Sequence, residues 1–145
     1  MLTRWWLVLG LVLVPAAVHG QDSSAAAPAG LREAAEEARQ AWQTHDLGAL
    51  VASSPRVLVQ LPGADPATAL GRAQAEALLR DYLAPTRELG VEIRAAREVE
   101  PGRGYVELAR RYQVEGTQEV RTQTLLLSFR EGRAGWALVE LRVVG

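Results

Sequence analysis

The stretch GYVELARRYQV, Gly104 to Val114, sets Val106, Leu108, Tyr112 and Val114 in one alternating phase, with Tyr105, Glu107, Ala109, Arg111 and Gln113 in the other. A period of two belongs to a β-strand with one buried and one wet face. One residue breaks the rule: Arg110 falls in the apolar phase. Moving outward, the pattern repeats. Val91, Ile93 and Ala95 mark a strand before it, across the Pro101-Gly102-Arg103-Gly104 turn. Leu125, Leu127 and Phe129 mark a third beyond Glu115-Gly116-Thr117-Gln118, and Ala137, Val139, Leu141 and Val143 a last one beyond Glu131 to Gly135. Each runs about ten residues against a usual five or six. Short turns make them an antiparallel meander, and long strands twist and curl, so one face becomes concave.

The first half of the chain supplies the cover for that face. From Leu31 the apolar positions are Leu31, Ala34, Ala35, Ala38, Ala41 and Trp42, at helical spacing, with Arg32, Glu33, Glu36, Arg39 and Gln40 opposite. The stripe is mostly alanine, so this helix can lie close to a sheet, with Trp42 as its bulky anchor. Asp46 caps a short second helix through Leu47, Leu50 and Val51, ending before Pro55. Arg56 to Leu61 is β-rich and stops at Pro62-Gly63; Ala64 to Leu70 reads as a turn with a very short strand. A third helix spans Gly71 to Leu83, with Ala75, Leu78, Leu79 and Tyr82 on its apolar face. Helices first and strands after give an α+β class: three helices on a curved antiparallel sheet of about four long strands plus one or two short ones.

The chain has 145 residues, the size of one domain. Residues 1–20 read as a signal peptide: Arg4 as the positive region, Trp5 to Val14 as the apolar core, Pro15 as breaker and Val18-His19-Gly20 before the cleavage point. The apolar run is shorter than the ~20 residues that span a bilayer. Residues 21–30 (QDSSAAAPAG) read as a disordered small-residue tether, and 31–145 as the folded domain. The expectation is an exported protein, periplasmic or secreted, with no membrane association after the leader is removed. Cysteine is absent, which excludes disulfides, thiolate metal sites and a lipidated cysteine. Lys+Arg is 16 against Asp+Glu 17, every base being arginine. That balance and the 6% aromatic content argue against a nucleic-acid partner.

The order helix, helix, strand, helix and four antiparallel strands resembles the nuclear transport factor 2-like superfamily, over Leu31 to Val144. Ala69-Leu70-Gly71-Arg72-Ala73-Gln74-Ala75 leading to Leu78-Leu79 and Tyr82-Leu83, with Gly104-Tyr105 and Gly135-Trp136-Ala137-Leu138, is similar to an uncharacterised family of exported bacterial members. Gly71 stands where that family has a capping Ser, and Tyr82-Leu83 where it has an aromatic pair. The resemblance implies a cone-shaped fold used as an enzyme pocket, a ligand pocket or a dimerising scaffold. Fold alone does not choose among them.

Ketosteroid isomerases of that superfamily place their base on the strand after the second helix; here Arg56 to Leu61 carries no carboxylate, and Gln60 is its only neutral polar side chain. Past residue 20 the one histidine is His45, beside Asp46 between two helices, where a cap or solvated group is the ordinary reading. No metal-ligand cluster or cofactor motif is visible. Arg110, in phase with Val106, Leu108 and Tyr112, and Glu140, in phase with Trp136 and Leu138, are the two charges on otherwise apolar faces. They pair to line a pocket, since a charge is costly to bury unless paired, or else they point to solvent or form an ordinary cross-strand ion pair. Arg110, Glu140, Tyr112, Tyr82 and Trp136 are therefore the candidate pocket residues, the aromatics serving first as packing. No catalytic residue is assigned. The expected function is a non-catalytic homodimer or a module holding a small apolar or amphipathic ligand. The alternatives are a small isomerase or lyase with Glu140 as base, and an accessory module bound to another envelope protein.

Overall fold

The computed structural model describes residues 27–145; the expected leader and most of the expected tether lie outside them. Helix α1 (Ala29–Gln43) begins two residues earlier than the sequence suggests, and Ala27 ahead of it is already buried, so the last residues of the expected tether belong to the fold. Next come α2 (Leu47–Leu50), β1 (Arg56–Gln60), β2 (Thr68–Gly71), α3 (Arg72–Leu83), β3 (Thr86–Glu100), β4 (Arg103–Val114), β5 (Val120–Gly132) and β6 (Gly135–Val144). The six strands form one curved, unclosed sheet in the order β2-β1-β6-β5-β4-β3. The α+β class and the helices on one face of the sheet are as expected.

The sheet is mixed rather than wholly antiparallel: β3 to β6 form the meander, but β1 joins β6 in parallel, with Val59 opposite Leu141. That pairing joins strands from opposite ends of the chain, so no local turn signal announces it. Helix α1 lies across the inner face over β3, β4 and β6, while α3 covers β1 and β2. Its buried stripe is Leu31, Ala35, Ala38, Ala41 and Trp42, nearly as the alanine pattern implies. The close approach is tightest at Gly104, where a Cβ would stand 2.5 Å from Leu31 Cδ1 and 3.2 Å from Trp136 Cζ3.

Two strands depart from strict alternation. On β6 the partner of Ser128 is Glu140 and that of Phe129 is Leu138, so Val139 is an extra residue. A bulge of this kind moves every later side chain to the other face. The buried set is therefore Leu138, then Leu141 and Val143, and Glu140 faces outward. On β3 the same happens at Leu89, Arg94 and Val99. The inward set becomes Glu88, Val91, Ile93 and Ala96, opposite Tyr112, Arg110, Leu108 and Val106, and Ala95 turns outward opposite Glu107.

Candidate functional site

Near one end of the inner face, β4 presents Arg110 and Tyr112, β5 presents Gln123, β3 presents Thr86 and Glu88, α1 contributes Trp42 and the α1–α2 turn His45. Arg110 is the centre. Its side chain is 0% exposed and that of Glu88 1%. Arg110 Nε donates to Glu88 Oε2 at 3.1 Å, while Nη2 donates to Glu88 Oε1 and, at 3.1 Å, to Thr86 Oγ1. Nη1 donates to Gln123 Oε1 at 3.0 Å. The guanidinium carbon lies 3.9 Å from the Tyr112 ring centroid and 5.4 Å from that of Trp42. Stacking and a forked carboxylate together are what let a charge sit in a core. The Trp42 indole N–H is buried beside this cluster with no hydrogen-bond partner among the described residues.

His45 completes the Glu88 environment, its Nε2 lying 3.0 Å from Glu88 Oε1. The backbone explains why it can reach. His45 N–H donates to the Trp42 carbonyl and Asp46 N–H to that of Ala41, the Schellman arrangement that closes α1. This puts His45 at φ 54, the left-handed position that glycine normally fills. The histidine is thus neither a simple cap nor a free surface group: it ends the helix and aims its ring at a buried carboxylate. Asp46 caps α2 as expected, accepting from Ala49 N–H.

The polar cluster forms one flank of a cleft of about 860 Å³, open to solvent and bordered by Pro62, Tyr82, Tyr112, Val120 and Gln123. Tyr82, from the end of α3, meets the Gln123 amide there, with Gln123 Nε2 donating to its Oη at 3.0 Å. Of the candidate residues, Arg110, Tyr112 and Tyr82 come together. Trp136 lies at the other end of the inner face, against Gly30 and Gly104. Glu140 is on the outer face, its side chain 32% exposed and paired with Arg142 at 3.2 Å. The Arg110–Glu140 pocket pair, one of the two alternatives, therefore does not form, nor can Glu140 act as a base inside the cone; the Val139 bulge is the cause. Gln60 is also occupied, accepting from Ala67 N–H at 2.8 Å and holding the β1–β2 loop.

Glu88, the true partner of Arg110, escapes sequence reading because the bulge at Leu89 puts it out of phase with Val91. Gln123 had a usable signal: it stands two residues before Leu125 in the inward phase of β5, as Arg110 does on β4.

Charges elsewhere behave as surface groups. A hydrogen bond from Arg39 holds the Glu36 carboxyl below the ordinary range, and one from Arg121 does the same to Glu119. The Tyr105 phenol is pushed up, first by burial and then by neighbouring Glu107. Among the described residues no group of three or more His, Asp or Glu side chains could hold a metal ion, and no helix is long and apolar enough to cross a membrane.

Solved structures of similar shape identify the architecture. A ketosteroid isomerase-like protein from Erwinia carotovora atroseptica superposes with a TM-score of 0.66 at 18% identity, over 79% of this chain and 92% of that one. The chain has the nuclear transport factor 2-like fold. Other proteins of similar shape include a domain of unknown function with a cystatin-like fold from Nostoc punctiforme, with a TM-score of 0.61 at 20% identity over 78% of this chain and 73% of that one. A ketosteroid isomerase-like fold from Catenulispora acidiphila, solved with trimethylamine, has a TM-score of 0.61 at 13% identity over 78% and 85%. No protein-family model matches the chain, and no curated protein does. At these identities the likeness to the nuclear transport factor 2-like fold establishes shape alone.

Proposed function

We propose that this chain is an exported, non-catalytic module that holds a small apolar or amphipathic molecule in the cleft beside Arg110. The observation that carries the reading is the mutual neutralisation of Arg110 and Glu88 behind a roomy cleft. An acid–base enzyme of the isomerase type needs a carboxylate free to take a proton. Glu88 is instead held by two guanidinium contacts and the His45 ring, which favours a structural role. A volume of about 860 Å³ falls within the range of small-molecule sites, and Pro62, Tyr112 and Val120 give it apolar walls. Export rests on the leader-like pattern from Arg4 to Gly20.

A second reading, self-association through the outer sheet face, draws on a separate observation. A depression of about 550 Å³ crosses that face between Leu89, Ala109, Arg111, Thr122 and Val144, and the apolar side chains of Leu89 and Val144 are exposed beside it. Native mass spectrometry of the protein purified from cells separates the two. A discrete extra mass, lost on mild activation, supports the ligand reading, and identifying it names the ligand. A dimer without any adduct removes that reading in favour of assembly.

A further inference from the structure

We infer that the cleft selects an uncharged ligand carrying an oxygen acceptor, and that the Tyr82 hydroxyl is the group that recognises it; this rests on the cleft reading above. The inference comes from asking which polar groups still have a hydrogen bond to give. A guanidinium has five N–H groups. On Arg110 two go to Glu88, one to Thr86 and one to Gln123, the fifth (on Nη1) belongs to a side chain that is 0% exposed, and Tyr112 and Trp42 stack against its plane. Arg110 borders the cleft, yet it has neither net charge nor an open fork to offer an anion, because Glu88 takes both.

Arg121, the other base on the cleft, is bound to Glu119 at 2.8 Å, and the Asp81 carboxylate stands on the rim. The cleft is therefore not positive, and an anionic ligand would leave water without a compensating charge.

Thr86 gives its proton to the Leu83 carbonyl, which leaves Tyr82 and Gln123 among the uncharged inward side chains. Arg110 fixes the amide of Gln123 with its oxygen inward, so Nε2 points at Tyr82 and donates to Oη. The hydroxyl proton has a 3.2 Å bond to the same Gln123 oxygen, which already serves Arg110. Rotation about the phenol C–O bond carries that proton into the cleft at the cost of this one long bond. A ligand oxygen there gains a donor whose own oxygen is already accepting, and a donor in such a chain is strengthened. An apolar body would lie against Val120, Pro62 and Tyr112.

The test uses three probes of one shape: 2-acetylnaphthalene (uncharged, with an acceptor oxygen), 2-ethylnaphthalene (without one) and 2-naphthoate (anionic). Binding is measured by titration calorimetry on the purified protein and its Tyr82→Phe variant, whose thermal melts confirm the fold. The ketone is expected to bind about tenfold tighter than the anion, and Tyr82→Phe to weaken the ketone about five- to tenfold while leaving the hydrocarbon within about twofold. Equal weakening of ketone and hydrocarbon makes Tyr82 a packing residue and overturns this inference while the cleft reading stands. Tightest binding by naphthoate overturns the uncharged class. If no probe binds, both readings fall together.

Discussion

Strand β4 runs one face through two environments. At Gly104, Val106 and Leu108 the inner face is dry: Leu31 and Trp136 close on Gly104 at a distance that excludes even a methyl group. Six residues on, the same face carries Arg110 and Tyr112, an ion pair, a chain of amide and hydroxyl groups and a cleft. The dry end is held by contact and volume, which act over fractions of an ångström. The polar end is held by matched charge and hydrogen bonds, which tolerate space beside them provided each partner is present. One helix serves both ends: α1 crosses the dry region with Leu31 and reaches Arg110 with Trp42, and the turn that closes it brings His45 to Glu88.

The largest effect should come from breaking the polar end. Arg110→Ala leaves Glu88 buried with only the His45 ring beside it, and is expected to cost about 3–5 kcal/mol in urea unfolding. A loss under about 1 kcal/mol would mean that Glu88 reaches water, contrary to the burial described. Converting the polar end into a dry one is the sharper trial. Arg110→Met combined with Glu88→Leu should recover most of that loss, since matched apolar side chains often replace a buried pair without penalty. At the dry end, Gly104→Ala is expected to cost about 1–3 kcal/mol by overpacking against Leu31. Unchanged stability there would show that Leu31 yields freely. Glu140→Gln, on the outer face, should shift stability by no more than about 0.5 kcal/mol, as for other exposed pairs.

The same contrast explains what could be read in the sequence. Strands β4 and β5 keep strict alternation from end to end, so their faces, and the inward placement of Arg110, follow from period alone. The alanine stripe of α1 and the cap at Asp46 are equally local and equally legible. Bulges are not. The extra residue Val139 moves Glu140 outward, and the extra residue Leu89 places Glu88 inward, so the partner of Arg110 lay on the strand before it rather than on the last one. Spacing held a clue in retrospect, because Leu138 and Leu141 are three apart. His45 hid for another reason: its ring position depends on a left-handed residue in a turn, and nothing in the identity of a lone histidine announces that conformation. The parallel seat of β1 beside β6 likewise depends on the whole chain having folded.

The three bulges of β3 have a consequence beyond the placement of Glu88. β3 is the outermost strand on its side of the sheet and, at fifteen residues, the longest. A straight strand of that length would offer its outer row of amide and carbonyl groups as a template for any passing chain. Extra residues at Leu89, Arg94 and Val99 interrupt that row at intervals of five, so an incoming strand can stay in step for only a few residues. Glu92, Arg94, Arg97 and Glu98 add charge along it. The kinks that bring Glu88 to Arg110 thus also make this edge a poor template for another strand.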